Sequence, residues 1–217
     1  MMRLHCEFPL SGLLARVIPF GAVSAAWIAM LLVPALHHTL IPGWVVMVIG
    51  MMIPTVLRPM LKVADDHWTR AVTFLAGYVL LWVLAAAPLA LVPTTDLGSF
   101  GIGGLWILAG VVQVLPSTVR ALHACRGLRR ADGPWNAGVR QGIWCVRSCW
   151  LLMVATVATA NLMPAFASLG LMIIATAVML WEKSRSASAT SIRALGIAFI
   201  ILGAAIMVLA PGTHLHG

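Results

Sequence analysis

The stretch QGIWCVRSCWLLMVATVATANLM, Gln141–Met163, decides the fold class. It is an apolar run long enough to cross the roughly 30 Å hydrocarbon layer of a membrane as a helix, for which about 20 residues suffice. Its first half carries Cys145, Arg147 and Cys149, and bulk lipid tolerates an arginine poorly. The run therefore predicts a transmembrane helix with a polar feature near one end.

The rest of the chain has the same apolar character. Of its 217 residues, 61% are hydrophobic and 9% are charged, and the mean hydropathy is +1.00, all far from the values of soluble globular proteins. Seven segments are candidate spans, so the sequence predicts an all-α membrane bundle in one domain, residues 1–217. The segments are Val17–Leu36, Pro42–Leu57, Ala71–Val92, Gly103–Val119, Gln141–Met163, Ala165–Trp181 and Ala194–Ala210.

Prolines and tryptophans add detail to the predicted bundle. Pro54 lies in the second span and Pro116 in the fourth, so we expect both spans to be kinked and packed against other helices rather than lipid. Indole rings prefer the membrane interface. The tryptophans near predicted interfaces are Trp44, Trp68, Trp135, Trp144 and Trp181.

Basic residues lie on one side of the predicted bundle. Thirteen of the 14 Lys and Arg residues fall in alternate connectors, and Arg147 is the other one. Because cytoplasmic loops retain Lys and Arg, we predict a cytoplasmic N-terminus and an outer C-terminus. A cleaved signal in place of the first span is the alternative. The net charge of +8 indicates contact with anionic membrane lipid and not with nucleic acid, since no nucleic-acid-binding motif accompanies it.

Cys145 and Cys149 are four residues apart and therefore share a helix face. The same face continues through Leu152, Thr156 and Thr159. Small and polar side chains of this kind turn toward neighbouring helices in membranes, so we expect this stripe to be buried. Arg147 points to another side of the helix, and we expect it to snorkel to the cytoplasmic interface or to pair with Glu182.

The cysteines are also candidate metal ligands. Cys125 joins Cys145 and Cys149 near the predicted cytoplasmic ends of the fourth and fifth spans, and His123 lies two residues from Cys125. In a reducing compartment the cysteines remain thiols, which bind soft ions such as Cu(I) or Zn(II). The alternative is that they are ordinary small core residues.

Further ligand types lie toward the predicted outer side and between the two faces of the membrane. They are His37, His38, His214, His216, Met47 and Met51. Imidazoles bind Cu(II) or Zn(II), and thioethers bind Cu(I). The alternatives are a mobile tail for the terminal histidines and simple helix packing for the methionines.

Several segments, in order, resemble a bacterial family of predicted metal-binding integral membrane proteins, classed as a domain of unknown function. The similarity covers roughly Trp44 to Leu209. Its motifs are MVIGMMIPTVLRPM (Met47–Met60), Gly77-Tyr78 with Trp82, Gln113–Pro116 followed by His123–Arg126, GVRQGIWCVRSCWLLM (Gly138–Met153), Asn161, and Glu182-Lys183. The resemblance implies a multi-pass protein of the bacterial plasma (inner) membrane that binds a soft metal.

The chain departs from the family pattern at four positions. Ala121 and Ser148 stand where that family has cysteines, Arg147 stands in place of a glycine, and Thr118 stands in place of a lysine. The resemblance favours the handling of a soft, copper-like metal. The departures favour the alternative, an accessory structural or assembly subunit of a larger membrane metalloenzyme complex, with a degenerate metal site. No catalytic motif is found, so we do not expect an enzyme.

Overall fold

The computed structural model describes residues 10–33, 40–88, 97–126, 133–183 and 187–209. This part of the chain consists of helices, without a strand, which confirms the predicted all-α class for it. The elements are α1 (Leu10–Leu32), α2 (Leu40–Met47), a π-helical segment (Val48–Met52), α3 (Ile53–Ala64), α4 (Trp68–Ala85), α5 (Ser99–Val114), α6 (Pro116–Arg126), α7 (Pro134–Ala160), α8 (Ala165–Lys183) and α9 (Ala189–Leu209).

Six stretches of the described chain are helical, long and apolar enough to cross a membrane. They are Leu13–Leu32, Pro42–Ala64, Trp68–Ala85, Pro134–Ala160, Ala165–Lys183 and Ala189–Leu209. The pair formed by α5 and α6 makes a seventh span if its two bent halves are counted together. The seven predicted spans correspond to this upper count, and the length and apolar character of the helices fit a multi-pass membrane protein.

The bend between α5 and α6 is 73° and has a local cause. Proline disfavours the helical conformation of the residue before it, and Leu115 before Pro116 is extended, with ψ of 139°. The Thr118 hydroxyl then donates to the Val112 carbonyl oxygen at 2.5 Å, which satisfies an acceptor at the end of α5. The kink expected at Pro116 is therefore a complete break of the span.

Pro54 distorts the second span in a different way. It has no N–H to donate to the Gly50 carbonyl, and the π-helical segment lies directly before it. Such segments are rare and frequently occur at functional sites. Gly50 also allows α1 to approach closely, since a Cβ at this position would lie 2.8 Å from Met30 Cε.

Helices α4 and α7 run parallel in close contact through glycines. A Cβ at Gly77 would lie 2.9 Å from the Trp135 carbonyl oxygen, and one at Gly142 would lie 2.9 Å from Leu81 Cβ. A Cβ at Gly138 would collide with the Phe74 backbone. Small residues at such positions let membrane helices pack backbone against backbone, so the glycines bring α4 side chains within reach of α7.

Helices α5 and α9 form a second glycine-lined pair, in this case antiparallel. Gly110 faces Gly196, and Gly103 faces Gly203, with each Cβ position occupied by the opposite backbone. Dispersion contacts at this short range hold helices together where no hydrophobic effect drives them. The pair positions the end of α5 beside the end of α8.

Methionine is prominent in the core. Eight of the ten methionines in the described part of the chain are buried in one apolar cluster: Met30, Met47, Met51, Met52, Met60, Met153, Met172 and Met179. Trp44, which we expected at the membrane interface, lies inside the protein, and its Nε1 donates to the Trp82 carbonyl oxygen at 2.8 Å. By contrast, Trp68, Trp135 and Trp181 are exposed, as an interface position requires.

Candidate functional site

Cys145 lies at the point where four helices meet. It is fully buried on α7. Tyr78 of α4 places its hydroxyl oxygen 3.0 Å from Cys145 Sγ, and Lys183 of α8 donates from Nζ to the same sulfur at 2.6 Å. Lys183 Nζ also donates to Thr55 Oγ1 of α3 at 3.0 Å. One cysteine sulfur thus gathers polar groups from α4 and α8, and the lysine links them to α3.

The helix packing explains why Tyr78 can reach Cys145. Gly142 lies three residues before Cys145, and a Cβ there would be 3.3 Å from the Tyr78 carbonyl oxygen. The tyrosine itself is fully buried. A larger residue at position 142 would push α4 away. It would therefore also separate the Tyr78 hydroxyl from the Cys145 sulfur.

Cys149 lies one helical turn beyond Cys145 and is also buried, with 1% of its surface exposed. The two cysteines lie four residues apart on the same face of α7. Ser148 Oγ lies 3.3 Å from Cys149 Sγ and donates to the Cys145 carbonyl oxygen at 3.0 Å. The predicted shared face of the two cysteines is confirmed, since Leu152 and Thr156 are buried with them.

The polar end of the predicted stripe also faces a neighbouring helix. Trp106 Nε1 of α5 donates to Thr159 Oγ1 at 2.9 Å, and Thr159 Oγ1 donates to the Ala155 carbonyl oxygen. The stripe of small and polar residues on α7 is therefore an inner surface of the bundle, as the sequence predicted.

Cys125 and His123 lie on α6 and differ in burial. Cys125 is buried and His123 is exposed. Gln141 Nε2 donates to the Cys125 carbonyl oxygen at 3.3 Å, which ties α6 to α7 one turn before Cys145. Within the described residues, however, no three His, Cys, Asp or Glu side chains stand together as a metal site.

The remaining candidate ligands divide into two groups. His37, His38, His214 and His216 lie outside the described residues. Met47 and Met51 are buried, on α2 and in the π-helical segment, within the methionine-rich core. Three successive hydrogen bonds connect this segment to Cys145: Thr55 donates to the Met52 carbonyl oxygen at 2.7 Å, and Lys183 donates both to Thr55 Oγ1 and to Cys145 Sγ.

Arg147 and Glu182 have separate surroundings. Arg147 is exposed, and its guanidinium lies 5.9 Å from the centre of the Trp144 ring, within the range of a cation–π contact. Glu182 is buried on α8 and accepts a hydrogen bond from the Gln113 side chain of α5. Arg147 points to a different side of α7 from the buried cysteines, as expected, and its snorkelling to the cytoplasmic interface stays a prediction. The described contacts give Glu182 the partner Gln113.

A small cavity separates α5 from α7 beside these residues. Its volume is about 240 Å³, and its polar lining consists of Gln113, Arg147 and Ser148. Ser148 is the residue that contacts Cys149, and Gln113 is the residue that holds Glu182. The cavity therefore lies beside the residues that contact Cys149 and Glu182.

The comparisons with known proteins give a family. A family model described as PpoB2, copper chaperone, matches residues 41–206. The chain belongs to this copper chaperone family. No curated protein and no solved structure matches it. The matched region contains Cys145, Cys149 and Lys183, and it leaves out the histidines near both ends of the chain.

In this member of the copper chaperone family, sequence reasoning found the two α7 cysteines but missed the groups that contact them. Lys183 counted as a basic residue of a cytoplasmic loop and as part of a family motif, and Tyr78 as part of a family motif, but neither was expected to contact Cys145. Met153, four residues after Cys149, is also buried. The four-residue spacing that paired the cysteines would have found it, because Met153 continues their face by the same rule.

Proposed function

We propose that this protein carries Cu(I) as its cargo, held inside the bundle by the sulfurs of Cys145 and Cys149. The single observation that supports this most is the pair of adjacent buried thiols on one face of α7, within the region that matches the copper chaperone family. Copper is the ion that the protein receives and transfers, and it is not a cofactor that stays bound.

The donor set fits Cu(I) better than Zn(II). Soft sulfur ligands select Cu(I), which accepts low coordination numbers, whereas structural zinc takes four ligands. The described residues offer two neighbouring thiols and many thioethers, but no group of three His, Cys, Asp or Glu side chains. Such a set can hold a Cu(I) ion and leaves a zinc ion short of ligands.

Met153 extends the thiol pair to three sulfurs, which we call the sulfur face: Cys145, Cys149 and Met153. Side chains four residues apart on a helix have Cβ atoms about 5–6 Å apart, and all three residues are buried. A thioether is a weaker donor for copper than a thiolate. Met153 therefore suits a role as an additional ligand or as the next position for an ion that leaves the thiols.

Met47 and Met51 belong to the proposed path of the ion through the membrane. They lie in the same methionine-rich core as the sulfur face, and the π-helical segment that contains Met51 is linked to Cys145 through Thr55 and Lys183. Thioethers bind Cu(I) without a charge of their own. We propose that these methionines pass copper between the outer side of the membrane and the thiols.

Cys125 with His123 would then serve the cytoplasmic side. His123 is exposed and Cys125 is buried two residues away on α6, and Gln141 connects Cys125 to α7. An exposed imidazole beside a buried thiol suits a first or last contact for a metal ion. Copper would move between α6 and α7 by ligand exchange, so the proposal requires no enzymatic reaction.

The alternative function is an accessory structural or assembly subunit of a membrane metalloenzyme complex. It remains compatible with the family, since delivery of copper to such a complex needs contact with it. Co-purification from bacterial inner membranes in mild detergent would test this alternative. A stable complex that persists when all sulfur-face residues are replaced would favour the subunit role over copper delivery.

Metal content tests the proposed function. The protein is purified in mild detergent, loaded anaerobically with Cu(I), and its copper is measured by elemental mass spectrometry. We expect close to one copper per chain, lost in Cys145→Ser/Cys149→Ser and retained in the control Cys6→Ser, which changes a cysteine outside the matched region. Equal copper in the double variant and the native chain would exclude this site.

A further inference from the structure

Lys183 contacts the Cys145 sulfur, which the proposed function assigns to Cu(I). Its Nζ lies 2.6 Å from Cys145 Sγ, and a metal bound to a cysteine sulfur sits at a similar distance, about 2.3 Å for zinc. A thiol with a lysine nitrogen at that distance on one side and a tyrosine hydroxyl at 3.0 Å on another has little room left for an ion. The lysine must leave before Cys145 can bind copper.

We infer that Lys183 is an internal competitor for the cargo: it binds Cys145 when the site is empty, moves aside when Cu(I) binds, and returns to help expel the ion. The inference rests on the proposed function, since it concerns the same sulfur. It assigns Lys183 to the control of copper release and gives Cys145 and Cys149 unequal roles, because Lys183 donates its hydrogen bond to Cys145.

The position of Lys183 keeps low the free energy needed to move its ammonium group away from Cys145. It is the last residue of α8, where the helix dipole and the final carbonyl groups favour a cation. It is only partly buried, and its long aliphatic stem lets the charged end move toward water. Thr55 Oγ1, already 3.0 Å from Nζ, offers a second partner that copper does not need.

The surroundings of Cys145 also favour the return of the lysine. Once copper has left Cys145, the freed sulfur attracts the Lys183 ammonium, and the attraction is stronger where little water screens the charges. The exchange is balanced: a copper–sulfur bond replaces an N–H···S hydrogen bond, copper remains Cu(I), and Lys183 keeps its protons. The thiolate that delivers copper takes up any proton that the cysteine sulfurs release.

Variants of Lys183 test the inference through copper affinity and release. The affinity of the loaded protein is measured by competition with a coloured Cu(I) chelator, and the release rate by adding that chelator in excess. We expect Lys183→Gln to bind Cu(I) about tenfold more tightly and to release it more slowly, because a charge-assisted hydrogen bond no longer competes. Lys62→Gln, which changes an exposed lysine in the last turn of α3, should match the native chain.

A measurement on the native chain avoids any folding defect of the variant. Lysine acylation followed by mass spectrometry reports how freely each amine reacts. We expect Lys183 to react faster after copper loading, with Lys62 unchanged. Unchanged labelling of Lys183, or unchanged or weaker copper binding in Lys183→Gln, would overturn the inference. If Cys145→Ser/Cys149→Ser keeps its copper, the proposed function fails instead, so the two failures are distinguishable.

Discussion

Tyr78 and Cys145 are 67 residues apart in the sequence, yet the tyrosine hydroxyl lies 3.0 Å from the cysteine sulfur in the interior of the bundle. Glycines on the facing surfaces of α4 and α7 make this contact possible. The candidate copper site therefore depends on helix packing as much as on its ligands.

Gly142→Val tests the link between packing and site. The added side chain would collide with Leu81, so we expect the free energy of unfolding to fall by about 1–3 kcal/mol and copper binding to weaken as α4 moves away. Thermal unfolding in detergent and copper content measure the two effects. Gly170→Val is the matched control, since a Cβ at Gly170 meets nothing within 4 Å. Equal behaviour of the two variants would argue against the packing account.

Met153→Leu tests the third sulfur. Leucine conserves volume, so the free energy of unfolding should fall by less than about 1.5 kcal/mol. Copper affinity should fall by about tenfold or more, since even outer-shell partners of metal ligands contribute that much. Met30→Leu changes another buried methionine, on α1, and should leave affinity unchanged. If Met153→Leu binds copper as the native chain does, the sulfur face is limited to the cysteines.

Gln113→Leu tests the buried polar contact that holds α8 in place. The variant deprives the buried Glu182 carboxyl of a hydrogen-bond donor, so we expect a loss of about 1–3 kcal/mol in the free energy of unfolding. A double-mutant cycle with Glu182→Leu measures the coupling directly. We expect the double variant to be less destabilised than the sum of the two single variants. Strict additivity would show that the Gln113–Glu182 contact contributes nothing.

The predicted orientation can be tested without the purified protein. Alkaline phosphatase is active only outside the cytoplasm of bacteria, so a fusion to the C-terminus should be active and one within 184–188 should be inactive. The expectation comes from the one-sided basic residues and from an odd number of spans. The reversed pattern, or activity at both positions, would contradict the predicted topology.

The spans could be predicted because membrane crossing imposes a length and a composition on each helix. The buried stripe of α7 could be predicted because a four-residue spacing defines a face within one helix. Contacts between helices follow no such local rule. Lys183 reaches Cys145 across 38 positions of sequence, and Gln113 reaches Glu182 across 69, so neither pair could be inferred from spacing.

The sequence predicted that both prolines distort their spans, but it did not predict the geometry of either distortion. Both Pro54 and Pro116 distort their spans, but one is preceded by a π-helical segment and the other by a break of 73°. The difference depends on the residues that surround each proline. Helix α1 packs over Gly50, whereas the Thr118 hydroxyl donates a hydrogen bond to the Val112 carbonyl at the end of α5. Trp44 shows the same limit, because an indole near a span end can bond to a neighbouring helix as well as to headgroups.

X-ray absorption at the copper edge tests the central claim most directly, because it identifies the atoms bound to the metal. The protein would be loaded with Cu(I) in detergent without oxygen and compared with Cys145→Ser. We expect the copper to have only sulfur neighbours in the native chain, with one sulfur fewer in the variant. A first shell dominated by nitrogen or oxygen, or one that Cys145→Ser leaves unchanged, would contradict it.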